Sequence, residues 1–124
     1  MNDLLIGSTA QGGTVKTQYQ QGIIQFEGRF MPENSKDYFA PIMQWVSNYI
    51  ANPKEKTELV FRLDYFNTSF SKKLLDLMLE FEELHAKGKK VEVHWYCKDT
   101  DADLYEAGKG YKELVELEFV FKKY

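Results

Sequence analysis

The chain has 124 residues, 44% apolar and 15% aromatic, with 28% charged residues and a formal net charge of −3. That composition excludes a disordered chain and fits one domain with a single core. Mild acidity argues against non-specific nucleic-acid binding, which depends on Lys and Arg, and no apolar run is long enough for membrane insertion.

Residues 1–13 carry little pattern and include Gly7, Gly12 and Gly13, which predicts a flexible, at most partly docked lead before one domain over residues 14–124. Val15, Thr17 and Tyr19 then alternate with Lys16 and Gln18, as in a strand. After a Gln20-Gln21-Gly22 turn, Ile24, Phe26 and Phe30 alternate with Gln25, Glu27 and Arg29, so the two runs read as a hairpin. Phe39, Ile42, Met43, Val46 and Ile50 recur at helical spacing, with Asn34 or Ser35 as cap and Asn52-Pro53 as stop. Pro41 costs that helix a hydrogen bond, so a kink or a start nearer Tyr38 is expected.

Leu59, Phe61, Leu63 and Tyr65 alternate with Glu58, Arg62 and Asp64, while Val60 makes the second face partly apolar. This strand therefore reads as central and covered on both sides. It runs directly into a second helix with Leu74, Leu75, Leu77, Met78, Phe81 and Leu84 as its apolar positions, ended by Gly88. Val91, Val93, Trp95 and Cys97 mark another strand, and Asp101 to Ala107 a short helix capped by Asp99 or Asp101. Leu117, Phe119 and Phe121 mark the last strand. The order β-β-α-β-α-β-α-β predicts an α/β sandwich with a mixed, largely parallel sheet and an N-terminal hairpin.

The sharpest local feature is Asn67-Thr68-Ser69-Phe70-Ser71, where the central strand turns into the second helix. Carboxyl ends of strands in such sheets are where ligands and partners bind. A helix N-terminus offers unpaired N–H groups and partial positive charge, which suit a phosphate on a hydroxyl. The plainer reading is that Asn67, Thr68 or Ser69 is an N-cap, worth about 1 kcal/mol. Taken alone, the stretch supports both.

Other chemistries find no residue set. Asp99-Thr100-Asp101-Ala102-Asp103 fails as a calcium loop, because Leu104 and Gly110 occupy the positions that need Gly and Glu. One cysteine, Cys97, and two distant histidines, His85 and His94, make no structural zinc site. No serine carries a nucleophile-elbow pattern, and Gly108-Lys109-Gly110 lacks the spacing of a nucleotide loop. Tyr105, Tyr111 and Tyr124 look free, too few for a nucleic-acid stacking platform. The lone cysteine and the lack of a basic, then apolar leader at the N-terminus fit a cytoplasmic location. No metal, cofactor or enzyme constellation is expected.

Taken together, Pro32-Glu33-Asn34-Ser35, the Trp45 helix, Asp64-Tyr65-Phe66-Asn67-Thr68-Ser69 and Val93-His94-Trp95-Tyr96 resemble the SiaC family of bacterial regulatory phosphoproteins. The resemblance runs from about Ile24 to Phe121 and takes in the acidic stretch Asp99 to Tyr111. It implies a fold similar to the STAS domains of anti-sigma-factor antagonists, with partner switching driven by reversible threonine phosphorylation. A GHKL-type Ser/Thr kinase would phosphorylate the acceptor, which falls on Thr68, and a PP2C-type phosphatase would reverse it. The unphosphorylated form would bind and activate a diguanylate cyclase in cyclic-di-GMP signalling. The partner-binding face expected from motif and position comprises Phe66, Asn67, Ser69, Phe70, Glu33 and Asn34, with Glu33 and Asn34 also open to a purely capping role. Where the family often has a second serine directly after Thr-Ser, this chain has Phe70, with Ser71 next. The alternative function is a small-molecule or lipid-binding module with an apolar pocket. An enzyme using Asp64, Tyr65 and Thr68, or a plain oligomerisation subunit, stands further back.

Overall fold

The structure, a computed structural model, describes residues 1–124. Six strands, β1 (Leu5–Ile6), β2 (Thr14–Gln18), β3 (Ile23–Phe30), β4 (Lys56–Phe66), β5 (Lys90–Cys97) and β6 (Glu118–Lys123), form one sheet in chain order. Three helices connect the later strands: α1 (Ser35–Ala51), α2 (Thr68–Ala86) and α3 (Ala102–Leu114). β1 and β2 pair antiparallel, as do β2 and β3, with Gly22 closing that hairpin at φ 68°. β3 to β6 pair parallel. Because each crossover steps to the next position in one direction, the right-handed rule puts all three helices on one face. This is the predicted mixed, largely parallel α/β architecture.

The core lies between that face and the helices. Phe26, Leu59, Phe61, Leu63, Val93 and Trp95 point into it from the sheet, and Phe39, Ile42, Val46, Leu74, Met78 and Phe81 from the helices. The opposite face is open, which corrects the expectation that β4 is covered on both sides. Glu58, Val60 and Arg62 of β4 line it beside Glu92, His94 and Tyr96 of β5, all at least partly exposed. Val60 was a single apolar residue among charged ones and did not make a second buried face.

Three further features have local causes. The lead is laid down as a strand: Leu5 pairs with Lys16 and Ile6 with Val15. Asp3 accepts from the Tyr19 N–H at 2.7 Å, and the Trp45 indole donates to the Asn2 carbonyl at 3.0 Å. α1 begins at Ser35, capped by Asn34, and runs through Pro41. The proline is on the exposed side, as is Asp37, whose carbonyl loses its partner toward solvent. α3 is longer than predicted and continues through Gly108 and Gly110. Gly108 is tolerated because it lies against the Trp95 indole, where a Cβ would come within 2.6 Å of the ring. Close helix–sheet approach, not a helix stop, is what that glycine provides.

Candidate functional site at the β4–α2 junction

β3 and β4 are neighbouring parallel strands, so their carboxyl ends and the helices that follow lie side by side. The two sequence motifs meet there. The Asn67 side chain accepts from the Phe70 N–H at 2.9 Å and so caps α2. Its Nδ2 donates to the Pro32 carbonyl at 3.2 Å, and its backbone N–H donates to the Phe30 carbonyl at 3.1 Å. Across the same gap the Ser69 hydroxyl donates to the Ser35 hydroxyl at 2.5 Å. Asn67 therefore serves both as a cap and as a stitch between the loop before α1 and the start of α2.

The three hydroxyls after Asn67 have different surroundings. Ser69 is tied to Ser35, and Ser71 is half-buried and bonded to the Tyr111 hydroxyl at 2.7 Å. Tyr111 also donates to the Ser71 carbonyl at 2.9 Å. Tyr111 is thus buried and engaged, which corrects its reading as a free aromatic. Burial pushes its phenol above the usual range, against the opposing pull of the Ser71 hydrogen bond. Thr68, the first residue of α2, is exposed and its hydroxyl makes no hydrogen bond within the chain. The cap duty that competes with a modification role falls to Asn67 and leaves Thr68 free of it.

Charge distinguishes this junction further. α1 carries Asp37 and α3 carries Asp103 in the first turn, whereas the first turn of α2 has no acidic residue. The positive end of the α2 dipole therefore lacks the fixed carboxylate that the other two helices possess.

Phe70 is a correction. Expected on the partner-binding face, it is fully buried. Its ring stacks on Phe30 at 4.6 Å and lies 5.2 Å from Phe39, where it anchors α2 beneath the junction. The signal was in the sequence: Phe70, Leu74, Leu77, Phe81 and Leu84 follow one helical stripe. Phe66 and Asn67 are half-buried, and Ser69, Glu33 and Asn34 are exposed. Asn34 caps α1 by accepting from the Asp37 N–H at 3.1 Å, while the Glu33 side chain makes no contact that capping requires.

Next to Phe66 a groove of about 350 Å³ runs to the start of α3, lined by Asp64, Tyr65, Asp101, Asp103 and Leu104. Tyr65 is 47% exposed, with the Arg29 guanidinium over its ring at 5.0 Å. Two other surface concavities, of about 590 Å³ and 170 Å³, are also lined by charged side chains. None is the enclosed apolar pocket that a lipid-binding reading needs.

On the open face, strand register brings Glu58, Glu92 and His94 together, their ligand atoms within 4.8 Å of one another. The sequence did not reveal this, because register is a tertiary property. Lys56 lies 3.3 Å from Glu58 and 3.4 Å from Glu92, and Lys90 is 3.4 Å from Glu92, so the carboxylates are already neutralised by ammonium groups. The hydrogen bond from His94, helped by Lys90 and Lys56, holds the Glu92 carboxyl down to about 2. This is an ion-pair network on the sheet surface, away from the junction.

No helix is long and apolar enough to cross a membrane. Residues 6–124 match the family described as SiaC family regulatory phosphoprotein. An uncharacterized protein of Pseudomonas aeruginosa (strain UCBPP-PA14) is 29% identical over 122 residues, covering 98% of this chain and 97% of that one. SiaC of Pseudomonas aeruginosa superposes with a TM-score of 0.90 at 29% identity, over the whole of both chains. The crystal structure of diguanylate cyclase SiaD in complex with its activator SiaC, from the same organism, matches at a TM-score of 0.92 and 28% identity. That match covers 98% of this chain and 100% of the other.

Proposed function

This chain belongs to the SiaC family of regulatory phosphoproteins, and from that membership we propose that it is a non-enzymatic cytoplasmic switch whose state is a phosphate on Thr68. A GHKL-type Ser/Thr kinase transfers the γ-phosphoryl group of ATP to Thr68 Oγ1, releasing ADP and the hydroxyl proton. A PP2C-type phosphatase hydrolyses the ester and returns the hydroxyl and inorganic phosphate. Unphosphorylated, the protein binds and activates a diguanylate cyclase. The switching unit is residues 14–124, with the first thirteen residues laid along its edge.

One observation carries this reading. Thr68 is exposed, unbonded and at the N-terminus of α2, while the neighbouring Asn67 does the capping. A kinase can reach such a hydroxyl without dismantling a cap. The phosphate would add a charge of about −1.5 to −2 at that point. The uncompensated end of α2 would stabilise that charge within the protein. A partner packed over Glu33, Asn34, Phe66, Asn67 and Ser69 would have to desolvate the dianion, and docking is lost. Phe70 contributes from beneath, by holding α2 in place.

The test is intact-mass and phosphopeptide analysis of the protein isolated from its native host with phosphatases inhibited. One added phosphate on Thr68 is the expected result. Phosphate confined to Ser69 or Ser71, or none under any growth condition, would sink the proposal.

A further inference from the structure

The two edges of the sheet are unequal. β1, at one edge, is two residues long, whereas β6, at the other, is six residues long and has no neighbour on its outer side. The Tyr124 N–H donates to the Cys97 carbonyl, and the Tyr124 carbonyl accepts from the Asp99 N–H. Backbone groups alternate sides along a strand, so residues 118, 120 and 122 turn theirs toward β5. Residues 119 and 121 turn theirs outward. An edge of this length is a template for another strand unless it is blunted.

Lys122 and Lys123 are residues of the kind that blunt an edge against unspecific pairing, but the sequence of β6, Glu-Phe-Val-Phe-Lys-Lys, is complementary to a copy of itself. Placed antiparallel to a copy of itself about a two-fold at Val120, it sets Glu118 opposite Lys122 twice. The same register sets Phe119 opposite Phe121 twice and Val120 opposite Val120. In that register residues 119 and 121, whose backbone groups point outward, are the pairs that exchange both hydrogen bonds. Centring on residue 119 or 121 instead breaks the Glu118–Lys122 match. Neither residue has an ion-pair partner of opposite charge within the chain.

The rim of the core points the same way. Phe119 and Phe121 are register neighbours of Val93 and Trp95, which are fully buried, yet both phenylalanines are only half-buried. Leu114, just before β6, is 63% exposed. A strand added to this edge would cover apolar surface that the single chain leaves open.

We propose that β6 pairs antiparallel with β6 of a second copy of this chain about a two-fold axis at Val120, joining two sheets into one of twelve strands. The interface is isologous, with Glu118–Lys122 pairs flanking the central valines on the open face and the phenylalanines on the helical face.

Analytical ultracentrifugation of the full chain over a concentration series should show a monomer–dimer equilibrium. Glu118→Lys and Lys122→Glu should each weaken the dimer about tenfold, and the double swap should restore it. The register is read by Val120→Cys, because residues facing each other in a non-hydrogen-bonded antiparallel pair have Cα atoms about 4.5 Å apart, within disulfide reach. That variant should cross-link under mild oxidation, and Lys123→Cys should not. Cys97 is buried and adds no background. A monomer at every concentration, a dimer indifferent to both charge reversals, or Lys123→Cys cross-linking as readily as Val120→Cys would overturn the proposal. Circular dichroism on each variant separates loss of pairing from loss of folding.

Discussion

At the β4–α2 junction Asn67 caps its helix by accepting from the Phe70 N–H at 2.9 Å, and at the β5–α3 junction Asp101 does the same with the Leu104 N–H at 2.9 Å. The geometry of the cap is shared and the chemistry is not. Asp101 is itself charged and is followed by Asp103, so the positive end of α3 is permanently compensated. Asn67 is neutral and is followed by Thr68 and Ser69, so the positive end of α2 carries no fixed carboxylate. Under the proposed function, the β4–α2 turn acts as a switch because capping and modification fall on different residues. The β5–α3 turn, capped by a carboxylate, remains plain scaffold.

The sharpest way to break this contrast is to remove what holds α2 in place. Phe70→Ala should cost about 3–5 kcal/mol of stability in denaturant titration, because a fully buried ring stacked on Phe30 is lost. A loss below about 1 kcal/mol would mean that the ring is not core. At the other junction, Gly108→Ala should cost about 1–3 kcal/mol, since the new methyl meets the Trp95 indole. Asn67→Ala and Asp101→Ala should each cost about 1 kcal/mol through the lost cap, with Asn67→Asp largely retaining it. Equal behaviour of these two cap deletions would sharpen the view that the caps are equivalent scaffolding. Thr68→Ala should change stability by no more than about 0.5 kcal/mol, as expected of an exposed side chain without partners. A loss as large as that of Asn67→Ala would make Thr68 a structural residue.

The open face offers a contrast in pH. The folded-state carboxyl of Glu92 is depressed from 4.5 to about 2 by His94, Lys90 and Lys56. A group whose folded pKa is lowered contributes stability that is present above its unfolded pKa and is lost as pH falls through the folded one. Thermal melts should therefore show a loss between about pH 4.5 and 2 that Glu92→Gln diminishes.

Much of this was legible from residue order. Alternation and helical spacing located β2 to β6 and all three helices, because each element buries one face and the sequence must repeat with its period. The parts that were not legible depend on a partner in space. β1 is two residues long and exists because β2 is beside it. The end of α3 was hidden because Gly108-Lys109-Gly110 reads as a break until Trp95 is known to lie against the helix. The bareness of one sheet face follows from crossover direction, which no single strand encodes. At the junction, the start of α2 and a cap among Asn67, Thr68 and Ser69 were legible by position, and which of the three does the capping was not. That assignment needed the hydrogen bonds of Asn67 to Phe70 and Pro32.

The most direct test compares binding of a purified diguanylate cyclase, the proposed partner, to the unmodified protein and to the protein carrying phosphate on Thr68, by isothermal titration under identical salt. The unmodified protein and Thr68→Ala should bind alike, while phosphothreonine, and to a lesser degree Thr68→Asp, should weaken binding at least tenfold. Equal affinity of the phosphorylated and unmodified forms would contradict the assignment of the switch to Thr68.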